Sequence, residues 1–149
     1  MKVLLVCSAG GHLQQMLALE AAWGDAERAW VTLPSADVGA ALEGESVTLA
    51  HGPTNRSIKN LLRNTALALR LLRRQRPDAI LSTGAGVAVP FFLVGKVLGI
   101  RLVYVESVTR TESISLSGRL LYPLADRFFA QWPAAAERLR RAEYVGSVL

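Results

Sequence analysis

The sequence predicts an α/β domain with a doubly wound, parallel β-sheet. Short apolar segments alternate with helix-like segments along the 149 residues. The strand-like segments are apolar throughout instead of alternating between apolar and polar residues, which is typical of strands buried on both faces by helices. Two glycine-rich turns also stand directly between a strand and a helix, as in folds that bind ligands at the carboxyl ends of parallel strands.

The first half of the chain begins with a continuous apolar run at residues 2–7, which predicts a buried first strand. The next elements follow from apolar spacing and from turn-forming residues. They are a helix over 11–22, a strand over 28–33, a short helix from Pro34-Ser35 to Leu42, and a strand over 46–50.

The longest predicted helix runs from Ser57 to about Arg76 and is closed by Pro77. Its apolar residues recur at helical spacing, and we expect them to form a stripe that faces the core. This stripe comprises Ile58, Leu61, Leu62, Thr65, Leu69 and Leu72, with Leu67 and Leu71 beside it. The polar side carries basic residues with no acidic residue among them: Lys59, Arg63, Arg70, Arg73, Arg74 and Arg76.

A basic amphipathic helix of this kind can rest on an anionic membrane. We therefore predict membrane contact through Lys59, Arg63, Arg70, Arg73 and Arg74. An ordinary crossover helix with a solvated basic face is the alternative interpretation.

The second half continues the alternation of strands and helices. It predicts strands over 79–82, 101–105 and 127–130, helices over 90–98, 120–125 and 133–141, and a strand-like tail over 144–149. The polar segment 106–117 is the least regular part. With no linker or repeat, the chain is interpreted as one Rossmann-like domain, residues 1–149.

Composition limits the possible functions. An apolar fraction of 51% indicates a globular protein, and the net charge of +5 favours anionic partners. No stretch reaches the roughly 20 apolar residues of a membrane span, and no secretory signal is visible. Helix-turn-helix, zinc-ligand and aromatic RNA-binding patterns are also missing, so we expect no nucleic-acid partner.

The glycine turns are the strongest functional signal. Ser8-Ala9-Gly10-Gly11-His12 follows the first strand, and Ser82-Thr83-Gly84-Ala85-Gly86 follows the strand at 79–82. Glycine allows backbone N–H groups to approach a ligand closely, and a helix N-terminus favours anions. Neither turn matches a dinucleotide or P-loop motif. We predict a phosphate-bearing ligand between them, contacted by Gly10, Gly11, His12, Gly84, Ala85 and Gly86; the alternative is tight strand-to-helix packing alone.

Three side chains complete the predicted site. His12 contacts a phosphate or serves as a general base, Glu106 ends the strand at 101–105 on the same edge, and Arg110 can meet a diphosphate. For Glu106 the alternative is a surface carboxylate or a helix cap, and for Arg110 it is an ordinary solvated charge. Cys7 is interpreted as a buried apolar residue, and the spacing of Cys7, His12 and His51 indicates no metal site. We predict no cofactor.

Beyond these motifs, the order of several segments resembles a known family. The residues are Cys7-Ser8-Ala9-Gly10-Gly11-His12, Ser82-Thr83-Gly84-Ala85-Gly86 with Pro90, Lys96-Val97-Leu98-Gly99-Ile100, and Val103-Tyr104-Val105-Glu106-Ser107. They resemble the acceptor-side N-terminal domain of GT-B glycosyltransferases. The resemblance is stronger to the membrane-associated subunit of the split UDP-GlcNAc transferase of lipid-linked oligosaccharide synthesis, and to its bacterial relatives of capsule and exopolysaccharide synthesis, the PssD type.

This resemblance implies a hexosyltransferase subunit that is active only with a donor-binding partner. The acceptor would be a polyprenyl-diphosphate-linked sugar, and the donor UDP-GlcNAc or another UDP-sugar. His12, or else Glu106, would take the acceptor proton, and the tail residues Tyr144, Val145, Gly146, Val148 and Leu149 would dock on the partner. The expected location is the cytoplasmic face of the plasma membrane. Two alternatives stay open: a membrane scaffold without catalytic activity, and a stand-alone enzyme that binds a nucleotide sugar.

Overall fold

The computed structural model describes residues 1–148. It contains the parallel sheet that the sequence predicts. The strands are β1 (Lys2–Cys7), β2 (Glu27–Thr32), β3 (Val47–Leu49), β4 (Ala79–Gly84), β5 (Arg101–Val105), β6 (Arg127–Phe129) and β7 (Ala142–Glu143). Every pairing is parallel, and the order across the sheet is β3-β2-β1-β4-β5-β6-β7. The prediction of a doubly wound parallel sheet is confirmed.

The strand order reverses between β1 and β4. The chain moves outward from β1 through β2 to β3 and then returns to β4, which pairs with β1 from Val3↔Ala79 to Val6↔Ser82. Crossovers that leave such a point in opposite directions open a crevice beyond the carboxyl ends of the two strands. Both glycine turns therefore lie at this crevice.

The helices cover both faces of the sheet. They are α1 (Gly11–Ala18), α2 (Glu20–Trp23), α3 (Ala36–Ala41), α4 (Ile58–Gln75), α5 (Ala88–Val97), α6 (Leu116–Leu121) and α7 (Pro133–Ala136). Alternate residues of β1 point to opposite faces: Leu4 and Val6 pack in the core beneath α4, α5 and α6, whereas Leu5 packs with Trp30 beneath α1, α2 and α3.

Several predicted boundaries are wrong for local reasons. The helix over 11–22 is broken at Leu19, whose N–H bonds Met16 O in a turn. The helix expected at 120–125 begins earlier because the Ser115 hydroxyl accepts from the Gly118 amide and caps it. The last helix ends at Ala136, well before residue 141.

The strand-like tail is also placed wrongly. The edge strand is β7, two residues long, and residues 144–148 form no strand. An ion pair from Arg127 to Glu143 closes β6 against β7. Beyond β7 the chain folds back over the molecule, where the Val148 amide donates to the Gln131 side chain. Leu149 lies outside the described residues.

Most of the predicted core stripe of α4 faces solvent instead, and Leu72 is its buried member. Ile58 is 76% exposed and Leu62 is 65% exposed, and Leu61 and Leu69 are exposed as well. The core side of α4 consists of Leu67, Ala68, Leu71 and Leu72 together with two asparagines, Asn60 and Asn64. The asparagines face inward because they bond the backbone of the preceding loop: Asn64 to both polar atoms of His51, and Asn60 to Pro53 O.

Candidate functional site

A cleft of about 550 Å³ opens at the carboxyl edge of the sheet, beside the point where the strand order reverses. Five connections build it: those after β1, β2, β3, β4 and β5. Its lining residues are Ser8, His12, Leu33, Pro53, Thr54, Asn55, Ala85, Gly86, Ser107, Thr109, Arg110, Ser115, Leu116 and Ser117. Six of these fourteen residues carry a hydroxyl group and none is acidic, so the cleft suits an anionic, hydroxyl-rich ligand.

His12 reaches the cleft from the start of α1. Its Nδ1 lies 2.8 Å from the carbonyl oxygen of Thr83. Because a carbonyl only accepts hydrogen bonds, Nδ1 carries the hydrogen in the neutral ring, and Nε2 keeps its lone pair. The Thr83 hydroxyl donates back to His12 O at 2.7 Å. The contact of Nδ1 with the Thr83 carbonyl leaves Nε2 able to accept a proton, as a general base requires, and the Thr83 hydroxyl holds the backbone at His12 in place.

The second glycine turn forms one wall of the cleft. Ala85 and Gly86 line it directly, and the amides of Ala85, Gly86 and Val87 have no hydrogen-bond acceptor within residues 1–148. They precede the first turn of α5, so its dipole adds to their positive potential. Gly84 lies behind them with φ +112°, where an added Cβ would be 2.9 Å from Tyr104 Oη.

The first glycine turn differs from the prediction. Neither Gly10 nor Gly11 lines the cleft. The Gly10 amide donates to the Asp37 carboxylate at 3.1 Å, so a carboxylate of the chain already occupies this anion position. Hydrogen bonds from Ser35 and from the Gly10 amide lower the pKa of Asp37 below its ordinary value, which keeps it charged. The Asp37 carboxylate would repel a second anion at Gly10, and the residues of this turn that line the cleft are Ser8 and His12.

Glu106, which the sequence predicts to meet the acceptor, is buried. It is 1% exposed and is not part of the cleft lining. Its oxygens accept hydrogen bonds from the amides of Ser107 and Ser115, both at 2.8 Å, and from the Ser115 hydroxyl at 2.9 Å. These bonds close the loop between β5 and α6 on itself, so the carboxylate holds the loop that carries Arg110 into the cleft.

The loop after β3 contributes residues that the sequence did not reveal as site residues. Thr54 and Asn55 line the cleft opposite Gly86. An added Cβ on Gly86 would lie 3.0 Å from Thr54 Oγ1, so glycine is required for this close approach. The buried asparagines of α4 fix this loop. In the sequence they are polar residues within an otherwise apolar helical pattern, and that pattern was the signal for their contact with the loop.

Two further observations concern the described residues as a whole. Residues 1–148 include no helix of the length and hydropathy needed to cross a membrane. Within the same residues, no three side chains of histidine, cysteine, aspartate or glutamate approach closely enough to share a metal ion. Cys7 is buried at the carboxyl end of β1, and burial raises the pKa of its thiol to about 12, so it is an unreactive core residue.

Comparison with known proteins adds an independent finding. Residues 49–148 match the family described as "Oligosaccharide biosynthesis protein Alg14 like". The chain is 34% identical to the UDP-N-acetylglucosamine transferase subunit ALG14 of Eremothecium gossypii over 178 aligned positions, covering 99% of this chain and 80% of that protein. It is 38% identical to the human subunit of the same name over 89 positions, or 56% of this chain and 41% of the human one.

Solved structures share the fold at low sequence identity. Acinetobacter baumannii MurG superposes with a TM-score of 0.76 at 19% identity, over 99% of this chain and 46% of MurG. The UDP-GlcNAc 2-epimerase of Methanocaldococcus jannaschii superposes with a TM-score of 0.75 at 13% identity, again over 99% of this chain and 46% of the epimerase. The chain thus spans under half the length of these proteins, and the likeness establishes the fold of that part.

Proposed function

Because this chain belongs to the Alg14 family, we propose that it is the acceptor-binding subunit of a two-component glycosyltransferase. The donor would be UDP-GlcNAc, and the acceptor a polyprenyl-diphosphate-linked sugar. The observation that carries this proposal is the composition of the cleft: one histidine with a free ring nitrogen, one arginine, many hydroxyls and no acidic side chain. Such a site binds a sugar diphosphate and removes a proton from one of its hydroxyls.

The diphosphate binds at the second glycine turn. The free amides of Ala85, Gly86 and Val87 donate to one phosphate, and Arg110 approaches from the loop across the cleft. Both groups hold negative charge without a bound cation. We assign the acceptor diphosphate to this turn instead of to Gly10 and Gly11, because Asp37 occupies the Gly10 amide.

The acceptor sugar lies toward His12. Its hydroxyl oxygen attacks the anomeric carbon of the donor sugar, the bond from that carbon to the UDP oxygen breaks, and the hydroxyl proton passes to His12 Nε2. The Thr83 carbonyl stabilises the resulting imidazolium through Nδ1–H. Glu106 acts as a positioning residue for the loop of Arg110, since its oxygens are bonded within that loop.

The donor site belongs to a partner subunit. Residues 144–148 offer it an apolar surface, since Val145 is 78% exposed and Tyr144 is 49% exposed. Gly146 and Val148 belong to the same segment, and Leu149 follows outside the described residues. We propose that this segment contacts the partner.

The α4 helix provides the membrane contact. Lys59, Arg63, Arg70, Arg73 and Arg74 are all exposed, and the exposed apolar residues Ile58, Leu61, Leu62 and Leu69 lie along the other flank. The neighbouring helices extend this apolar surface with Leu93, Val97, Leu116 and Leu120. Apolar side chains beside arginines suit the boundary between headgroups and acyl chains. We propose peripheral attachment at the cytoplasmic face of the membrane.

The test is sugar transfer by the chain co-expressed with its donor-binding subunit. UDP-GlcNAc and a prenyl-diphosphate-linked N-acetylglucosamine serve as substrates. We expect His12→Ala to lower kcat by about 10²–10⁴-fold, the range of a lost general base, with little change in acceptor KM.

His51→Ala is the matched control, because His51 forms hydrogen bonds within residues 1–148 through its backbone alone. Its kcat should equal that of the wild type. Full transfer by His12→Ala would show that the base lies elsewhere. Transfer by the chain without its partner would overturn the division between two subunits.

A further inference from the structure

Two buried glutamines connect the candidate site with the segment that follows β7. Gln15 on α1 is 5% exposed, and Gln131 after β6 is 3% exposed. Their side chains meet, with Gln131 Nε2 donating to Gln15 Oε1 at 2.8 Å. Burying two neutral amides is unfavourable unless their polar atoms are bonded, so their other partners are informative.

The Gln15 side chain faces the site. Its Oε1 also accepts from the Val108 amide at 2.9 Å, and its Nε2 donates to Gly11 O at 3.3 Å. Gln15 therefore ties together the helix that carries His12 and the loop that carries Arg110. The Trp132 indole strengthens the same attachment, because its N–H donates to Val108 O at 2.6 Å.

The Gln131 side chain bonds in two directions. Its Nε2 donates to Glu106 O at 2.9 Å, on the site side. Its Oε1 accepts from the Val148 amide at 3.0 Å, on the side of residues 144–148. One planar amide thus has its donor on the loop of the site and its acceptor on the following segment. Because the amide is rigid, a displacement of Val148 changes the direction of both Nε2 bonds.

We propose that Gln131, acting through Gln15, is a positioning residue that makes the placement of the 106–110 loop depend on the placement of residues 144–148. This inference rests on the proposed function, in which that segment meets the partner and the loop meets the acceptor. Partner binding at residues 144–148 then sets Arg110 relative to His12. By reciprocity, acceptor binding strengthens partner binding by the same factor.

The first test uses the chain alone and does not depend on its activity. Hydrogen exchange of the Val108 amide, followed by NMR, reports the bond to Gln15 directly. Val148→Pro removes the backbone N–H that donates to Gln131 Oε1, whereas Val148→Ala keeps that N–H. We expect Val148→Pro to speed exchange at Val108 by roughly two- to tenfold, the range for one weakened hydrogen bond, and Val148→Ala to leave it unchanged.

Gln131→Met supplies the second variant, since methionine has a similar shape without the amide. It should speed exchange at Val108 at least as much as Val148→Pro does, and the double variant should be no faster than Gln131→Met. The Val31 amide in β2 is the reference for global opening. Unchanged exchange at Val108 in Val148→Pro, or equal acceleration at Val31, would overturn the link.

The second test uses the assembled enzyme. Gln131→Met should raise the acceptor KM and leave the UDP-GlcNAc KM unchanged, because only the loop of this chain is displaced. An unaltered acceptor KM would contradict the inference. If the wild-type complex transferred no sugar, the proposed function would fail, while the exchange result at Val108 would still decide the link from Val148 to the loop.

Discussion

The exposed apolar flank of α4 allows a sharp test of membrane contact. Ile58 and Leu62 are 76% and 65% exposed, so both can be changed without opening the core. We consider the double variant Ile58→Gln/Leu62→Gln. Its free energy of unfolding should stay within about 0.5 kcal/mol of the wild type, as is usual for surface positions.

The expected loss of membrane affinity follows from these exposures. Complete burial of a leucine or isoleucine contributes about 1.5–3 kcal/mol. The exposed fractions of 76% and 65% together correspond to about 1.4 side chains, or about 2–4 kcal/mol by the same scale. The vesicle partition coefficient should therefore fall roughly 30- to 1000-fold, at about 1.4 kcal/mol per factor of ten.

Salt separates this contribution from that of the basic flank. Arg70→Gln, Arg73→Gln and Arg74→Gln together should lose about 1 kcal/mol per residue on anionic vesicles. That loss should fade in concentrated salt, because screening shortens the range of surface charge to a few ångströms. The loss in Ile58→Gln/Leu62→Gln should persist at all salt concentrations.

The assay is vesicle flotation at low and high salt, with vesicles of neutral and of anionic lipid. Leu49→Gln is the control, since Leu49 is 50% exposed on β3, away from α4. If Ile58→Gln/Leu62→Gln floated like the wild type under every condition, α4 would not contact the membrane.

Three further predictions concern the interior. Burial raises the Cys7 thiol pKa from 9.0 to about 12, so between these two pH values the unfolded chain binds fewer protons than the folded one. The free energy of unfolding of the wild type should therefore fall with pH more steeply than that of Cys7→Ala, by up to about 1.4 kcal/mol per pH unit. Urea titrations from pH 8 to 11 would measure this difference. In Gly84→Ala the added Cβ would lie 2.9 Å from Tyr104 Oη and 3.2 Å from His12 Cε1, on a backbone with φ +112°. Its free energy of unfolding in urea should be about 1–3 kcal/mol lower than that of the wild type, and most transfer activity should be lost. A free energy of unfolding equal to that of the wild type would refute the strain. Glu106→Ala leaves buried amides without an acceptor and should lose about 2–4 kcal/mol, whereas Glu106→Gln should lose less; a loss of kcat in Glu106→Gln without any loss of stability would indicate a catalytic role instead.

Much of the fold follows from local patterns in the sequence. The apolar runs ending at Cys7 and Val105 predict β1 and β5 with their observed bounds, because strands buried on both faces leave no room for polar residues. The second glycine turn locates a wall of the cleft, since a tight turn between β4 and α5 requires unusual backbone angles. Such signals are contained within a few adjacent residues.

Other features depend on contacts between distant residues. The spacing of the apolar residues in α4 defines a stripe but does not determine what the stripe faces. The bonds of Asn60 and Asn64 to the loop after β3 turn most of that stripe toward solvent. In the same way, Asp37 reaches Gly10 across 27 positions of sequence.

The sequence by itself determined that a parallel sheet presents glycine turns and His12 at one edge, because strand burial and turn geometry are local properties. Only the tertiary structure decided which groups meet the ligand. Glu106 is withdrawn into its own loop, and Thr54 and Asn55 enter the cleft. Gln131 joins the loop to Val148. Those outcomes depend on which buried polar atoms find partners, and such partners lie far apart along the chain.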